Sequence, residues 1–299
     1  DLEFVEFEPM VTLSPAGAKG EPCPTAMLGE GAYLLNSKGE RFMLKLRPEG
    51  EAGSPKTLIN RAIWEQLAAG NSSPNGGAFV DLRHIPLKIL EGYPWFYNRL
   101  IKAGHDPKTE LLEVGPAPHS HSGGAVVDSG YAARVDGLYA VGEASGGVHG
   151  ACRLAGNAAT QALVSGILAA EAIGARSLRK AEAPRVTREL RLDPDARKSG
   201  HGPLQDTLGA SLGSVRTETR LKSGLERIEE MLEGGQADQD DLFRQEIEAA
   251  RLIIVSALAR KESRGSHVRG DYPATDGAYR GSVYVEQSRS GEVQCTFRQ

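Results

Sequence analysis

Residues 138–157 read LYAVGEASGGVHGACRLAGN and form the most distinctive stretch of the chain. The apolar run 138–141 is typical of a buried strand. A glycine-dense stretch follows, and the alanine-rich segment 157–173 then predicts a long helix with little charge. Nucleotide and phosphate sites are built from strand, glycine loop and helix in this order, because glycine permits close backbone approach and a helix N-terminus favours anions.

The segments on either side differ from this stretch in composition and hydrophobic pattern. Residues 1–118 predict mixed helices and strands, with a hairpin whose turn is 36–39 and whose second strand is 41–43. A second apolar run, 125–127, predicts another buried strand. On the C-terminal side, apolar residues at helical spacing predict a small helical bundle within 203–262.

Two further segments complete this division of the chain. Residues 175–190 are charged and include Pro184, so they predict a linker. Residues 263–299 contain a late apolar and β-branched run, 282–285, which predicts a strand.

The composition excludes several classes of protein. The chain has 299 residues with 35 Lys and Arg against 39 Asp and Glu, and this net charge of −4 gives no electrostatic reason to expect nucleic acid. No apolar run comes near the roughly 18 residues of a transmembrane helix. The widely spaced Cys23, Cys152 and Cys295 predict neither a disulfide framework nor a zinc site, and they favour a reducing cytoplasm. The chain opens at Asp1 without a basic and apolar leader, which favours a fragment or a processed chain.

The stretch 138–157 resembles the second FAD-contacting segment of the succinate dehydrogenase/fumarate reductase flavoprotein subunit family, which includes L-aspartate oxidase. Other matches to that family follow its order along the chain: 6–9 at the start of its capping domain, 29–31 and 36–43 within that domain, 119–124 at the return into the FAD-binding domain, and 260–273 at the C-terminal signature. Because these matches are independent and cover most of the chain, the resemblance is specific.

The resemblance implies a fold class and a set of domains. It implies an α+β capping domain at 1–118, a partial α/β FAD-binding domain as the returning segment 119–178, a helical domain at 185–262, and a C-terminal extension at 263–299. The N-terminal FAD-binding half of the family, with its Gly-x-Gly-x-x-Gly turn, has no counterpart here. We therefore expect the longer parent protein to be the flavoprotein, and this chain alone to bind FAD weakly or not at all.

The resemblance also implies the residues that contact FAD. They match Gly124, Glu143, Arg153, Asn157 and Ala158. The chemistry agrees, because a helix that begins near Asn157 would direct its N–H groups and positive dipole end toward the flavin and stabilise negative charge on the reduced ring. The carboxylate of Glu143 is an acceptor for cofactor hydroxyl groups.

The substrate site implied by the resemblance is only partly preserved. The family holds a dicarboxylate with two histidines, a Thr-Glu pair and two arginines, one of which delivers the proton that accompanies hydride transfer. His119 and Arg153 match this pattern. Three positions depart from it: Glu8 stands at the first histidine, Pro24-Thr25 where the Thr-Glu pair is expected, and Lys56 at the proton-donating arginine.

These positions give the candidate site. We assign Lys56, His119 and Arg153 to catalysis, and Glu8, Thr25, His119 and Arg153 to substrate binding. Glu8 would repel a substrate carboxylate at close range unless it is protonated. Lys56 can still donate a proton but cannot reproduce the bidentate fork of arginine. The sequence therefore favours a substrate other than succinate or fumarate, such as one with a single carboxylate or an amine.

Three functions stay open on the sequence. The first is an FAD-dependent oxidoreductase that transfers hydride between flavin and a carboxylate-bearing small molecule, and the second is an L-aspartate oxidase. The third is a non-catalytic fragment or divergent paralogue that serves as a structural or partner-binding module. For the enzymes, the resemblance implies an iron–sulfur subunit as electron-transfer partner. It also implies a cytoplasmic protein that partner subunits hold at the periphery of the inner membrane. A metal site at His119 and His121 lacks a third ligand, so we expect no metal.

Overall fold

The computed structural model describes residues 1–176, 190–235, 237–288 and 291–298. The chain mixes helices and sheets and is an α+β protein. Its contacts divide it into two units, Glu6–His119 on one side and Asp1–Val5 together with Ser120–Gln299 on the other. The predicted linker at 175–190 lies almost entirely outside the described residues, and so do the predicted boundaries at 178 and 185.

The unit Glu6–His119 is built on a four-stranded sheet with the order β1-β4-β3-β2. The strands are β1 (Val5–Ser14), β2 (Tyr33–Leu35), β3 (Ala78–Asp81) and β4 (Leu112–His121). The helices are α1 (Ala26–Gly29), α2 (Lys56–Ala68), α3 (Leu87–Glu91) and α4 (Pro94–Lys102). Strand β3 is antiparallel to both β2 and β4. Strands and helices share one apolar core, whose fully buried members include Met10, Leu34, Ile63, Val80, Phe96 and Leu112.

The predicted hairpin in this unit is wrong in its second strand. Residues 41–43 do not pair with β2; Phe42–Lys45 forms a 3-10 helix, and β2 pairs with β3. Phe42 and Met43 are both buried, and consecutive residues of a strand cannot both face one core. The turn chemistry itself is confirmed, because Asn36 Oδ1 accepts hydrogen bonds from the backbone N–H groups of Lys38 and Glu40.

The C-terminal half of the other unit confirms the predicted helical bundle. Its helices are α6 (Pro194–Ser211), α7 (Glu218–Glu233) and α8 (Asp241–Ala259), and they pack around Leu204, Leu221, Ile228, Phe243 and Ile254. The side chain of Asp240 caps α8 by accepting from Phe243 N. A hairpin of β5 (Ser282–Gln287) and β6 (Val293–Arg298) follows, so the late strand is confirmed.

The segment between β4 and these helices differs from its prediction. The runs 125–127 and 138–141 form isolated bridges rather than buried strands, and Leu138 is 52% exposed. The predicted helix is confirmed as α5 (Asn157–Ala175), yet only Ser165 and Ala169 in it are buried. Among the described residues, α5 is the one helix with the length and apolar composition of a membrane span, a property that the core helices of water-soluble domains share.

Candidate functional site

The N-terminus of α5 is open and electrically suited to an anion. Gly156 precedes it at a φ of 85°, a left-handed conformation that glycine adopts without strain. No acidic residue lies in the first turn, so nothing there offsets the positive end of the helix dipole. Asn157 is exposed and Ala158 is half-buried, so both candidate FAD contacts lie at this accessible helix end.

The glycine loop before α5 is tied to that helix by two side chains that sequence reasoning missed. Ser165 Oγ accepts a hydrogen bond from Gly142 N at 2.8 Å, and Gln161 Nε2 donates to Gly142 O at 3.0 Å. Since the amide nitrogen of Gln161 is the donor there, its Oε1 accepts from His149 Nε2 at 2.8 Å. These contacts fix the loop over the first turns of α5.

Gly124 and Glu143 are brought together where the returning segment crosses the loop. Ala125 N donates to Ala144 O at 2.8 Å, and Gly146 N donates to Ala125 O at 3.0 Å. A Cβ on Gly124 would lie 2.6 Å from Ala144 O, so only glycine allows this crossing. The exposed Glu143 turns Oε1 toward His121 N, from which it accepts at 2.9 Å.

Arg153 lies in the last part of the loop, which the C-terminal signature supports. Ala151 O accepts from Ser266 N at 2.9 Å. A Cβ on Gly265, whose φ is +54°, would lie 2.2 Å from the same oxygen, so glycine is required at this contact. The half-buried Arg153 also directs Nη1 toward Leu154 O at 3.3 Å. The signature therefore sets the path of the backbone that carries Arg153.

A buried network of charges lies beneath this support. Arg260 donates to Glu3 Oε1 at 2.6 Å and to Glu262 Oε1 at 2.9 Å, and all three side chains are fully buried. Arg216, also fully buried, donates from Nη1 to His267 Nδ1 at 2.8 Å and to the backbone oxygen of Glu3 at 2.6 Å. Burial lowers the pKa of Arg216 to about 10. Neither Glu3 nor Arg216 was among the candidate residues from the sequence.

The contacts of His267 fix its protonation. Because Nδ1 accepts from Arg216, the ring hydrogen lies on Nε2, which donates to Arg260 O at 3.1 Å. Burial, together with the nearby charge of Arg216, holds the pKa of His267 well below its ordinary value. In the folded chain this imidazole is therefore neutral.

His267 makes the stability of the chain depend on pH. In the unfolded chain this histidine is protonated below about pH 6.5, whereas in the folded chain it stays neutral. Its contribution to the free energy of unfolding is therefore complete above that pH. Below it, the free energy of unfolding falls by at most about 1.4 kcal/mol for each unit by which the pH decreases. We expect His267→Gln to flatten this slope in urea titrations between pH 5 and 8. Contact with Arg269 lowers the pKa of Asp271 to about 2, so that carboxyl acts in a separate window below about pH 4. An unchanged slope in the variant would assign the effect to another group.

The unit Glu6–His119 contains the remaining candidates. Glu8 on β1 is buried, and its Oε2 forms an ion pair with Nζ of Lys56, the first residue of α2. Thr25 is half-buried at the N-cap of the short α1, where its side chain makes no capping hydrogen bond. His119 is exposed near the end of β4. The structure thus pairs Glu8 with Lys56 and shows no such partner for Thr25 among the described residues.

The metal alternative gains no support from the geometry. His121 directs Nε2 to Leu2 O at 2.9 Å and Nδ1 to Gly123 O at 3.2 Å, so its ring is held by backbone oxygens. Within the described ranges, no group of three or more His, Cys, Asp or Glu side chains is arranged to hold a metal ion.

Comparison with known families identifies the chain. The family described as "FAD binding domain" matches residues 1–159, and the one described as "Fumarate reductase flavoprotein C-term" matches 242–299. The chain belongs to the fumarate reductase/succinate dehydrogenase flavoprotein family. The resemblance stated from the sequence is therefore confirmed, and FAD is the cofactor associated with this family.

Relatives within this family carry the names of both expected activities. The chain is 32% identical to a subunit of the fumarate reductase (CoM/CoB) of Methanothermobacter marburgensis, over 96% of its own length and 57% of the relative's. It is 38% identical to L-aspartate oxidase of Caulobacter vibrioides over 92% of the chain and 51% of that relative. The chain thus spans about half the length of these curated relatives.

Solved structures of the family share the fold. A FrdA variant of E. coli quinol fumarate reductase superimposes with a TM-score of 0.78 at 26% identity, over 99% of this chain and 58% of that one. The Mycobacterium smegmatis Sdh1 complex with UQ1 gives a TM-score of 0.75 at 29% identity, over 99% and 55%.

Proposed function

We propose that this chain is the substrate-binding and C-terminal portion of an FAD-dependent oxidoreductase of the fumarate reductase/succinate dehydrogenase type. The observation that carries the proposal is the open N-terminus of α5 beneath a glycine loop that other side chains fix, within a region that matches an FAD-binding family. In this proposal residues 1–118 are the capping domain and 119–178 are the returning part of the FAD-binding domain. Residues 185–262 are the helical domain, and 263–299 are the C-terminal extension.

The residues present fit FAD. Asn157 and Ala158 lie at a helix end with uncompensated positive dipole, which suits a ring that gains negative charge on reduction. Gly124 keeps the returning segment close to the loop, and Glu143 presents a carboxylate at its surface. We assign these four residues and Arg153 to FAD binding. Bound FAD supplies hydride exchange with a substrate carbon, which moves two electrons between flavin and substrate.

The side chains of this protein supply binding and proton transfer. Arg153 and His119 bind and orient the substrate carboxylate, with Thr25 as a further polar contact. In the reducing direction Lys56 donates a proton from Nζ to the substrate carbon next to the one that receives the hydride. The product then carries two more electrons and two more hydrogens than the substrate. In the oxidising direction the neutral Lys56 accepts that proton.

An L-aspartate oxidase is the enzymatic alternative, because several relatives have that name at 33% to 38% identity. In that reaction the substrate is an amine, and the hydride leaves the carbon that bears it. Turnover of L-aspartate compared with turnover of unsaturated carboxylates by the parent protein separates the two reactions. A parent that binds FAD and turns over neither class favours the structural or partner-binding module.

The partner and location follow from the same proposal. Solved relatives are complexes with UQ1 and with menaquinol. We infer that the electrons of the parent flavoprotein pass to or from an iron–sulfur partner, and that such partners hold this cytoplasmic protein at the periphery of the inner membrane.

An exposed apolar surface on the returning segment supports the proposal that another part of the parent protein covers it. Leu154, Leu163 and Ile167 are 75%, 70% and 60% exposed. Apolar patches of this kind mark surfaces that another protein segment covers. We propose that the nucleotide-binding half of the parent covers them and completes the FAD site.

This proposal predicts where FAD is retained. After gel filtration, we expect the parent protein to carry about one FAD per chain, and this chain alone to carry none, because half of the site is missing. Absorbance in the visible flavin bands, divided by protein concentration, measures both. Tight FAD uptake by this chain alone would overturn the claim that the site is incomplete, and a parent without FAD would overturn the proposed function.

A further inference from the structure

The ion pair between Glu8 and Lys56 is the feature of the candidate site that the family resemblance does not explain. Glu8 lies on the face of β1 that also carries the fully buried Met10, and its side chain is 11% exposed. The side chain of Lys56 is 38% exposed, and its Nζ pairs with Glu8 Oε2. The pair therefore joins a buried anionic side chain to a partly exposed cationic one.

The surrounding contacts hold the pair in place. Asn60 lies one turn after Lys56 on the same face of α2, and its Nδ2 donates to Phe7 O at 2.9 Å. The first turns of α2 are thus fixed against β1 at the residue before Glu8. Burial and the neighbouring Glu8 charge raise the pKa of the Cys23 thiol, so this neighbour adds no charge of its own.

The pairing changes the charge that a substrate meets. A cation in the first turn of a helix opposes the helix dipole, and the Glu8 carboxylate offsets this cost for Lys56. The two side chains together have no net charge. A second substrate carboxylate at Lys56 would have to compete with Glu8 for the same ammonium group, whereas a neutral hydrogen-bonding group would not.

We propose that Glu8 is a specificity-determining and positioning residue that restricts the substrate to a monocarboxylate whose other end is a neutral hydrogen-bonding group. Glu8 holds the ammonium group of Lys56 in place, and its negative charge weakens the attraction of that group for anions. The inference rests on the proposed function, which places part of the substrate at Lys56. It assigns to Glu8 a role in rejecting dicarboxylates rather than in binding one.

Two ligands of nearly the same shape test the inference. Malonate has two carboxylates, whereas its monoamide, malonamate, has one carboxylate and one neutral amide, and neither contains a CH–CH unit to oxidise. Their dissociation constants for the FAD-loaded parent are measured from ligand-induced changes in flavin absorbance. We expect the wild-type parent to bind malonamate about tenfold or more tightly than malonate, and Glu8→Gln to reverse this preference because it leaves an unpaired cation.

A matched control and a second variant complete the test. Glu21→Gln makes the same chemical change in the ion pair of Glu21 with Arg99, 3.4 Å apart in the same unit, and should leave the ligand ratio unchanged. Lys56→Gln leaves the Glu8 anion unpaired and should therefore make malonate binding weaker than in the wild-type parent. A wild-type parent that binds malonate as tightly as malonamate overturns the inference even if no variant folds. A parent without FAD or without carboxylate binding instead overturns the proposed function.

Discussion

We expect Lys56→Met to lower the rate of substrate reduction by the FAD-loaded parent by about 100- to 10,000-fold, because Lys56 is the proposed general acid and this is the usual contribution of such a group. Methionine has a similar length and apolar volume but has no acidic proton to donate. We expect the variant to retain FAD, because Lys56 is not among the proposed FAD contacts. Single-turnover reduction, started with pre-reduced flavin, measures the step without interference from electron supply.

The control for this prediction is a lysine of the same unit. Lys45→Met changes an exposed lysine at the end of the 3-10 helix and should leave the rate within about twofold. A rate for Lys56→Met equal to that of the control would mean that the proton comes from another group, and the assignment of Lys56 as the acid would be abandoned.

Arg260→Met should lower the free energy of unfolding by about 3–5 kcal/mol, which is typical when one partner of a buried ion pair is removed. The change leaves Glu3 and Glu262 without their shared cation. It also removes the donors for the backbone oxygens of Tyr279 and Gly281, which accept at 2.8 and 2.9 Å. Urea unfolding of the parent, followed by intrinsic fluorescence, measures the loss.

An exposed arginine close in sequence provides the comparison. Arg280→Met removes the same charge from an exposed position and should change stability by less than about 0.5 kcal/mol. If Arg260→Met is equally mild, the fully buried charges of Glu3 and Glu262 are compensated by groups other than Arg260, and the network is not a source of stability.

Local signals in the sequence predicted the parts of the fold that local forces determine. The helix that begins at Asn157 and the turn at Asn36 each depend on neighbours a few residues away. The runs 125–127 and 138–141 show the opposite case. An apolar run indicates that a segment is to be covered, but it does not indicate which residues cover it.

The candidate site shows the same division. The resemblance supplied the positions of Glu8 and Lys56 but not their pairing, because 48 residues separate them in the sequence. The repulsion expected between Glu8 and a substrate carboxylate took no account of a cationic partner for Glu8. Arg216 and Glu3 were missed for the same reason, since their contact spans 213 residues. The one local signal was an arginine preceded by the apolar Val215. Such a setting is unfavourable for an arginine unless partners far along the chain receive its hydrogen bonds.

The division of the chain into a continuous unit, Glu6–His119, and a unit built from two segments has a consequence for protein engineering. The chain leaves and re-enters the second unit at adjacent points, because Ser122 N donates to Phe4 O at 2.9 Å and β1 neighbours β4. A short turn can therefore replace the continuous unit without stretching the backbone. The proposed capping domain would then be exchangeable among relatives at this junction, so that one proposed FAD-binding part could be combined with several substrate specificities.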